Sequence, residues 1–134
     1  MAYFLFKTEP EKFSFEDLFR EGKTVWNGVK NPLAQRFLRS TKIGDIIFIY
    51  HTGKERQIIG TGEVISEAYL YSDGYYVVDV KPVDRLEKSV KLRELKSLDI
   101  FGESPLLKIP RLSVVPISQE EAKVILSLSK SSFK

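Results

Sequence analysis

"IIFIYHTGKERQIIGTGEV", residues 46–64, decides the architecture. Ile46 to Tyr50 are apolar without alternation, the pattern of a strand covered on both faces. From Gln57 a second strand begins, and it contains Gly60 and Gly62. Glycines inside a strand mark a bulge or a tight bend, which a sheet needs if it is to curl into a small barrel.

Upstream of this core, "AYFLFK" reads as a first strand. Ser14 and Asp17 stand at capping-box spacing and open a brief helix that Gly22 and Lys23 end. "TVW" is extended, and Asn27-Gly28 is a turn signal. Asn31 and Pro32 suit the N-cap and first position of a helix through Ser40. At helical spacing its face of Leu33, Ala34, Phe37 and Leu38 is apolar, and Gln35, Arg36 and Arg39 share the other face. Downstream, Asp73-Gly74 signals a hairpin with "YYVVDVKPV" pairing behind it, and Pro82 marks that strand's end or an edge. "VKLRELKSL" reads as a short helix and "RLSVVPIS" as a late strand stopped by Pro116. Ser118 and Glu121 open a closing helix by the capping-box rule, and residues 130–134 read as a frayed tail. This order gives one domain over residues 1–134. It is an α+β fold in which a twisted, antiparallel-rich sheet curls into a small mixed β-barrel with flanking helices.

Composition removes several chemistries. The 134 residues contain no cysteine, so thiolate catalysis, disulfides and Cys-type zinc sites are excluded. The one histidine, His51, rules out multi-histidine metal sites, and no metal or cofactor is expected. No apolar run nears the roughly 20 residues of a membrane span, and "MAYFLFKTEP" lacks the basic start of a secretory signal. The expectation is a cytoplasmic protein with no membrane partner. A net charge of +3 permits nucleic acid without demanding it. The charge is clustered: Lys30, Arg36, Arg39 and Lys42 have no acid among them, and Arg85, Lys88, Lys91, Arg93 and Lys96 face only Glu87 and Glu94 in sequence. A solvated helix face accounts for both clusters.

Five runs occur together and in order: "YFLFKTEPEKFSFEDL", "VWNGVKNPLAQRFLR", "GDIIFIYHTG", "IIGTGEV" and "PRLSVVPIS". In this the chain resembles the EVE domain family, including its thymocyte nuclear protein type, from residue 3 to about residue 126. Lys30, Leu33 and Arg36 depart from the family pattern, which carries Arg, Gln and Asn there. The resemblance implies a PUA-like fold, related to YTH domains, and a nucleic-acid partner, with modified cytosine in DNA ahead of modified RNA.

Each candidate residue has a competing structural reading. Trp26 either packs in the core or offers a flat face on which a flipped base stacks, worth roughly 1–3 kcal/mol. Asn31 either caps its helix or reads a base edge. Lys7, Thr8 and Glu9 either form a surface turn before Pro10 or meet a phosphate, a base carbonyl or a cytosine amino group. Tyr50 and His51 end a buried strand, where they either stack on or bond to a base, or serve only as structural hydrogen-bonding groups. Arg111 and Ser113 complete the base-binding set, and Lys30, Arg36 and Arg39 are the expected backbone-binding cations. Together these describe a non-catalytic reader of a modified base. The alternatives are a binder of modified RNA or of a free nucleoside-like molecule, and an enzyme using His51 as acid or base. No phosphate-binding glycine loop or HExxH motif accompanies them.

Overall fold

The computed structural model describes residues 1–130; the expected tail, 130–134, lies outside them except for Lys130. The strands are β1 (Tyr3–Thr8), β2 (Thr24–Trp26), β3 (Ile46–His51), β4 (Gln57–Val64), β5 (Tyr69–Leu70), β6 (Tyr76–Lys91) and β7 (Val114–Ile117). The helices are α1 (Phe15–Glu21), α2 (Pro32–Arg39), α3 (Leu92–Lys96), α4 (Pro105–Lys108) and α5 (Gln119–Leu128), with a 3₁₀ turn at Asp99–Phe101. None is long and apolar enough to cross a membrane among the described residues.

The sheet runs β2-β6-β4-β3-β1-β7, with β5 paired to β6 outside this path. All pairings are antiparallel except β1 with β3. The sheet is therefore mixed, and it curls into a half-barrel whose edges are β2 and β7. The curl has a local cause. The β4–β6 register shifts between Ile58 and Gly60 and again between Thr61 and Gly62. A side chain at Gly60 would come within 2.5 Å of the Phe15 ring, so only glycine lets α1 pack this closely on the bend.

The stop at Pro116 is corrected, and so is the strand end at Pro82, one of the two readings given for it. Pro82 does not end its strand, because β6 continues through it to Lys91. Pro82 stands opposite Gly62 at the second register shift, where the ladder does not need its missing N–H. Pro116 lies within β7 and pairs with Phe4; β7 is an edge strand, so one side of it has no ladder to break.

The helix signals hold. Capping boxes close on Ser14 with Asp17 and on Ser118 with Glu121. Gly22 ends α1 with φ 81°. Gln35 does not share the solvent face of α2 with Arg36 and Arg39. Its amide donates to the Val29 and Tyr76 carbonyls and accepts from the Tyr76 N–H, tying the helix to β6. The core, with Phe6, Phe15, Phe48 and Phe101 fully buried, fills the space between sheet and helices. Because β1 and β3 run parallel, their C-terminal ends emerge side by side, with Lys7 opposite Tyr50 and Thr8 opposite His51.

Candidate functional site

A cavity of about 730 Å³ opens at those two strand ends, within the usual range of small-ligand sites. Strand β1 supplies Lys7 and Thr8, followed by Glu9 and Lys12; β3 supplies Tyr50, followed by Thr52 and Gly53. The β2–α2 turn contributes Asn27 and Gly28. The far wall comes from distant sequence: Arg56, Leu92 and Lys96, then Leu106, Leu107, Pro110, Arg111 and Ser113. Five cations (Lys7, Lys12, Arg56, Lys96 and Arg111) thus face one carboxylate, Glu9. Glu9 is already ion-paired with Lys12 at 3.4 Å.

Lys7 and Tyr50 form the base of the site. The Lys7 ammonium lies 5.5 Å from the centre of the Tyr50 ring and donates to the Pro110 carbonyl at 2.8 Å. That leaves two N–H donors for a ligand. Burial lowers the Lys7 pKa and raises that of the Tyr50 hydroxyl, since low dielectric disfavours each charged form. The Lys7 backbone N–H donates to the Ser113 carbonyl at 2.9 Å, which fixes the loop before β7 against the end of β1. The Thr8 hydroxyl donates to the Phe13 carbonyl.

The expected residues divide. Lys7, Thr8, Glu9, Tyr50, Arg111 and Ser113 meet at the cavity. Trp26 does not line it. Its ring packs on Phe6 and Phe13 at centroid distances of 5.4 and 6.1 Å. It borders a separate recess of about 170 Å³ that shares Lys7, Thr8 and Asn27 with the cavity. Asn31 caps α2, its side-chain oxygen accepting from the Leu33 and Ala34 N–H groups at 2.9 and 3.0 Å; the cavity does not reach it.

His51 is buried and committed on both sides. Nε2 accepts from the Phe15 N–H at 3.0 Å, which places the proton on Nδ1, 2.9 Å from the Glu55 carboxylate. Neither nitrogen is left to move a substrate proton, so the ring joins α1 to β3. The three expected backbone cations lie outside the cavity. The Arg39 guanidinium stacks 4.2 Å from the Tyr76 ring, Lys30 lies 6.0 Å from Tyr75, and Arg36 is exposed on α2.

Arg56 and Lys96 are the principal residues the sequence reading misses. Lys96 belongs to the basic run at 85–96, which is the signal that could have found it. Arg56 carries no local signal, yet it has the one positive φ outside glycine among the described residues, 47°. Left-handed backbone is disfavoured for such a residue and gathers at functional sites.

Comparisons with known proteins identify the fold and the family. Thymocyte nuclear protein 1 of Rattus norvegicus is 34% identical over an alignment covering 96% of this chain and 74% of that protein. Protein Atu2648 of Agrobacterium tumefaciens superposes with a TM-score of 0.93 at 28% identity, covering 100% of this chain and 97% of that one. Human THYN1, in a crystal structure with 5-methylcytosine-containing DNA, superposes with a TM-score of 0.90 at 31% identity, covering 98% and 99%. The fold is thus the PUA-like one of these neighbours. The EVE domain family model matches residues 2–128, nearly the whole chain, and the chain belongs to the EVE domain family.

Proposed function

We propose that this protein binds DNA and takes a modified base, a 5-substituted cytosine, out of the stack into the cavity at the ends of β1 and β3. The observation that carries the reading is the composition of that cavity. It combines an aromatic ring, an apolar wall and five cations facing one paired carboxylate. A planar heterocycle attached to a phosphate chain needs those three things together. The complex of human THYN1 with 5-methylcytosine DNA supports the ligand class.

In this reading Tyr50 and the leucines at 92, 106 and 107 meet the ring and its 5-substituent. A methyl group gains apolar contact there that water denies it. Lys7, with its two free donors, meets a base carbonyl, and Glu9 or Asn27 meets the exocyclic amine. Arg56, Lys96 and Arg111 meet phosphates, in place of Lys30, Arg36 and Arg39. Extruding a base costs a few kcal/mol, a sum that stacking and phosphate contacts of this kind offset. This reading assigns a binding role, and the single histidine, with both ring nitrogens engaged in hydrogen bonds of the fold, supports it.

The test is a titration at one fixed salt concentration of two DNA strands of identical sequence, one with cytosine and one with 5-methylcytosine. Tighter binding of the modified strand, lost in Tyr50→Leu, is the expected result. Equal affinity for the two strands would refute modified-base reading, and tighter binding of a matched modified RNA would move the ligand from DNA to RNA.

A further inference from the structure

A second depression of about 280 Å³ adjoins the cavity and shares Arg56, Leu92 and Lys96 with it. It lies between the turn at 52–56 and α3. Its cations are Lys54, Arg56, Lys91, Arg93 and Lys96, and its one carboxylate is Glu55. Leu92 is its only apolar residue, so it offers nothing on which a base could stack.

Glu55 stays ionised and offsets only one of the five cations of this groove. Its carboxylate accepts from His51 Nδ1 at 2.9 Å and from Gln57 Nε2 at 3.2 Å, and the His51 bond, with lesser help from Gln57, holds its pKa below the ordinary value. Lys91 donates to Gln57 Oε1 at 3.3 Å. Lys54, Arg56, Arg93 and Lys96 make no ion pair among the described residues. Four unpaired cations in so small a space repel one another, and that repulsion is relieved by an anion.

The turn is also held in place. The Arg56 carbonyl accepts from the Leu92 N–H at 2.9 Å, which locks the left-handed residue against the start of α3. Arg56 therefore stands as the shared wall between cavity and groove.

We infer that this groove carries the sugar-phosphate backbone of the nucleotides flanking the bound base. The strand leaves the cavity over Arg56 and Lys96 and continues between Lys54 and Arg93. The inference rests on the proposed function for the origin of the strand, and it assigns a second, sequence-independent surface. Backbone contacts of this sort set affinity and salt dependence, whereas contacts inside the cavity set base preference.

The double variant Lys54→Ala/Arg93→Ala separates the two, because both residues line the groove and neither lines the cavity. Affinities for modified and unmodified strands are measured between about 50 and 200 mM salt. The groove predicts weaker binding of both strands, an unchanged ratio between them, and a plot of log K against log salt flattened by roughly 1.4 to 1.8. An unchanged slope overturns the inference. Equal flattening in Lys42→Ala/Lys123→Ala, which removes the same charge outside both sites, also overturns it. If the wild-type protein shows no preference for the modified strand, the base reading fails while the slope still decides the fate of the groove.

Discussion

Lys7 and Tyr50 face each other across the one parallel pairing of the sheet, and the Lys7 ammonium sits 5.5 Å from the Tyr50 ring centre. The parallel register brings a half-buried cation and a buried aromatic to the same strand ends, where the cavity opens. This pair sets a pH dependence. Burial pulls Lys7 below its ordinary value of 10.5, so the folded state releases that proton first. Between the lowered value and 10.5 the unfolded chain holds more protons, and raising pH through that interval favours the fold. The same step removes charge from the cavity. DNA affinity is expected to fall as pH rises, before the ordinary lysine range, and Lys7→Arg moves that fall to higher pH. Affinity measured from about pH 7 upward checks this; superimposable profiles for the two proteins would contradict it.

His51 is a structural residue in this account. In His51→Leu the buried Phe15 N–H loses its acceptor, a loss of about 1–3 kcal/mol. Denaturant unfolding should show that loss, while the affinity of the folded protein for DNA stays within about twofold of wild type. A variant of full stability with abolished binding would place the ring in the ligand site after all.

Trp26 gives a sharper contrast. Its indole is packed against Phe6 and Phe13, so Trp26→Ala should cost about 3–5 kcal/mol of stability. Trp26→Phe keeps an aromatic in that space and is expected to retain the preference for the modified base. Loss of preference in a well-folded Trp26→Phe protein would show that the ligand reaches the indole through the small recess beside it.

Arg56 tests the link between strain and function. Arg56→Gly relieves the left-handed backbone but adds unfolded-state freedom, so stability should stay within about 1 kcal/mol of wild type. DNA affinity should nevertheless drop, because the shared wall of cavity and groove loses its charge. A thermal melt and a binding titration on the same sample read both quantities. Undiminished affinity would remove Arg56 from the interface.

What was legible in the sequence was local chemistry. Capping pairs at Ser14 and Ser118, the Asn31-Pro32 helix start and the glycines of β4 each act over a few residues, and each is where it was expected. Pro82 and Pro116 were misread because a bulge partner and an edge position, both set by distant strands, excuse their missing N–H groups. The site divided along the same line. Residues flanking the paired ends of β1 and β3 could be placed from the motifs that contain them. The wall from Arg56, Lys96, Leu106 and Leu107 could not, since it forms only when α3 and α4 fold over the sheet. Trp26 and Asn31 drew attention by residue type, but neighbouring groups in the folded chain had already engaged both.

The central claim is that a modified cytosine enters the cavity beside Tyr50. The most direct measurement uses DNA carrying ¹³C-methyl-labelled 5-methylcytosine and records nuclear Overhauser effects from that methyl to the protein. The account predicts contacts to Tyr50 and to the leucines at 92, 106 and 107. A methyl that contacts only its neighbouring bases, or side chains outside this cavity, would contradict it.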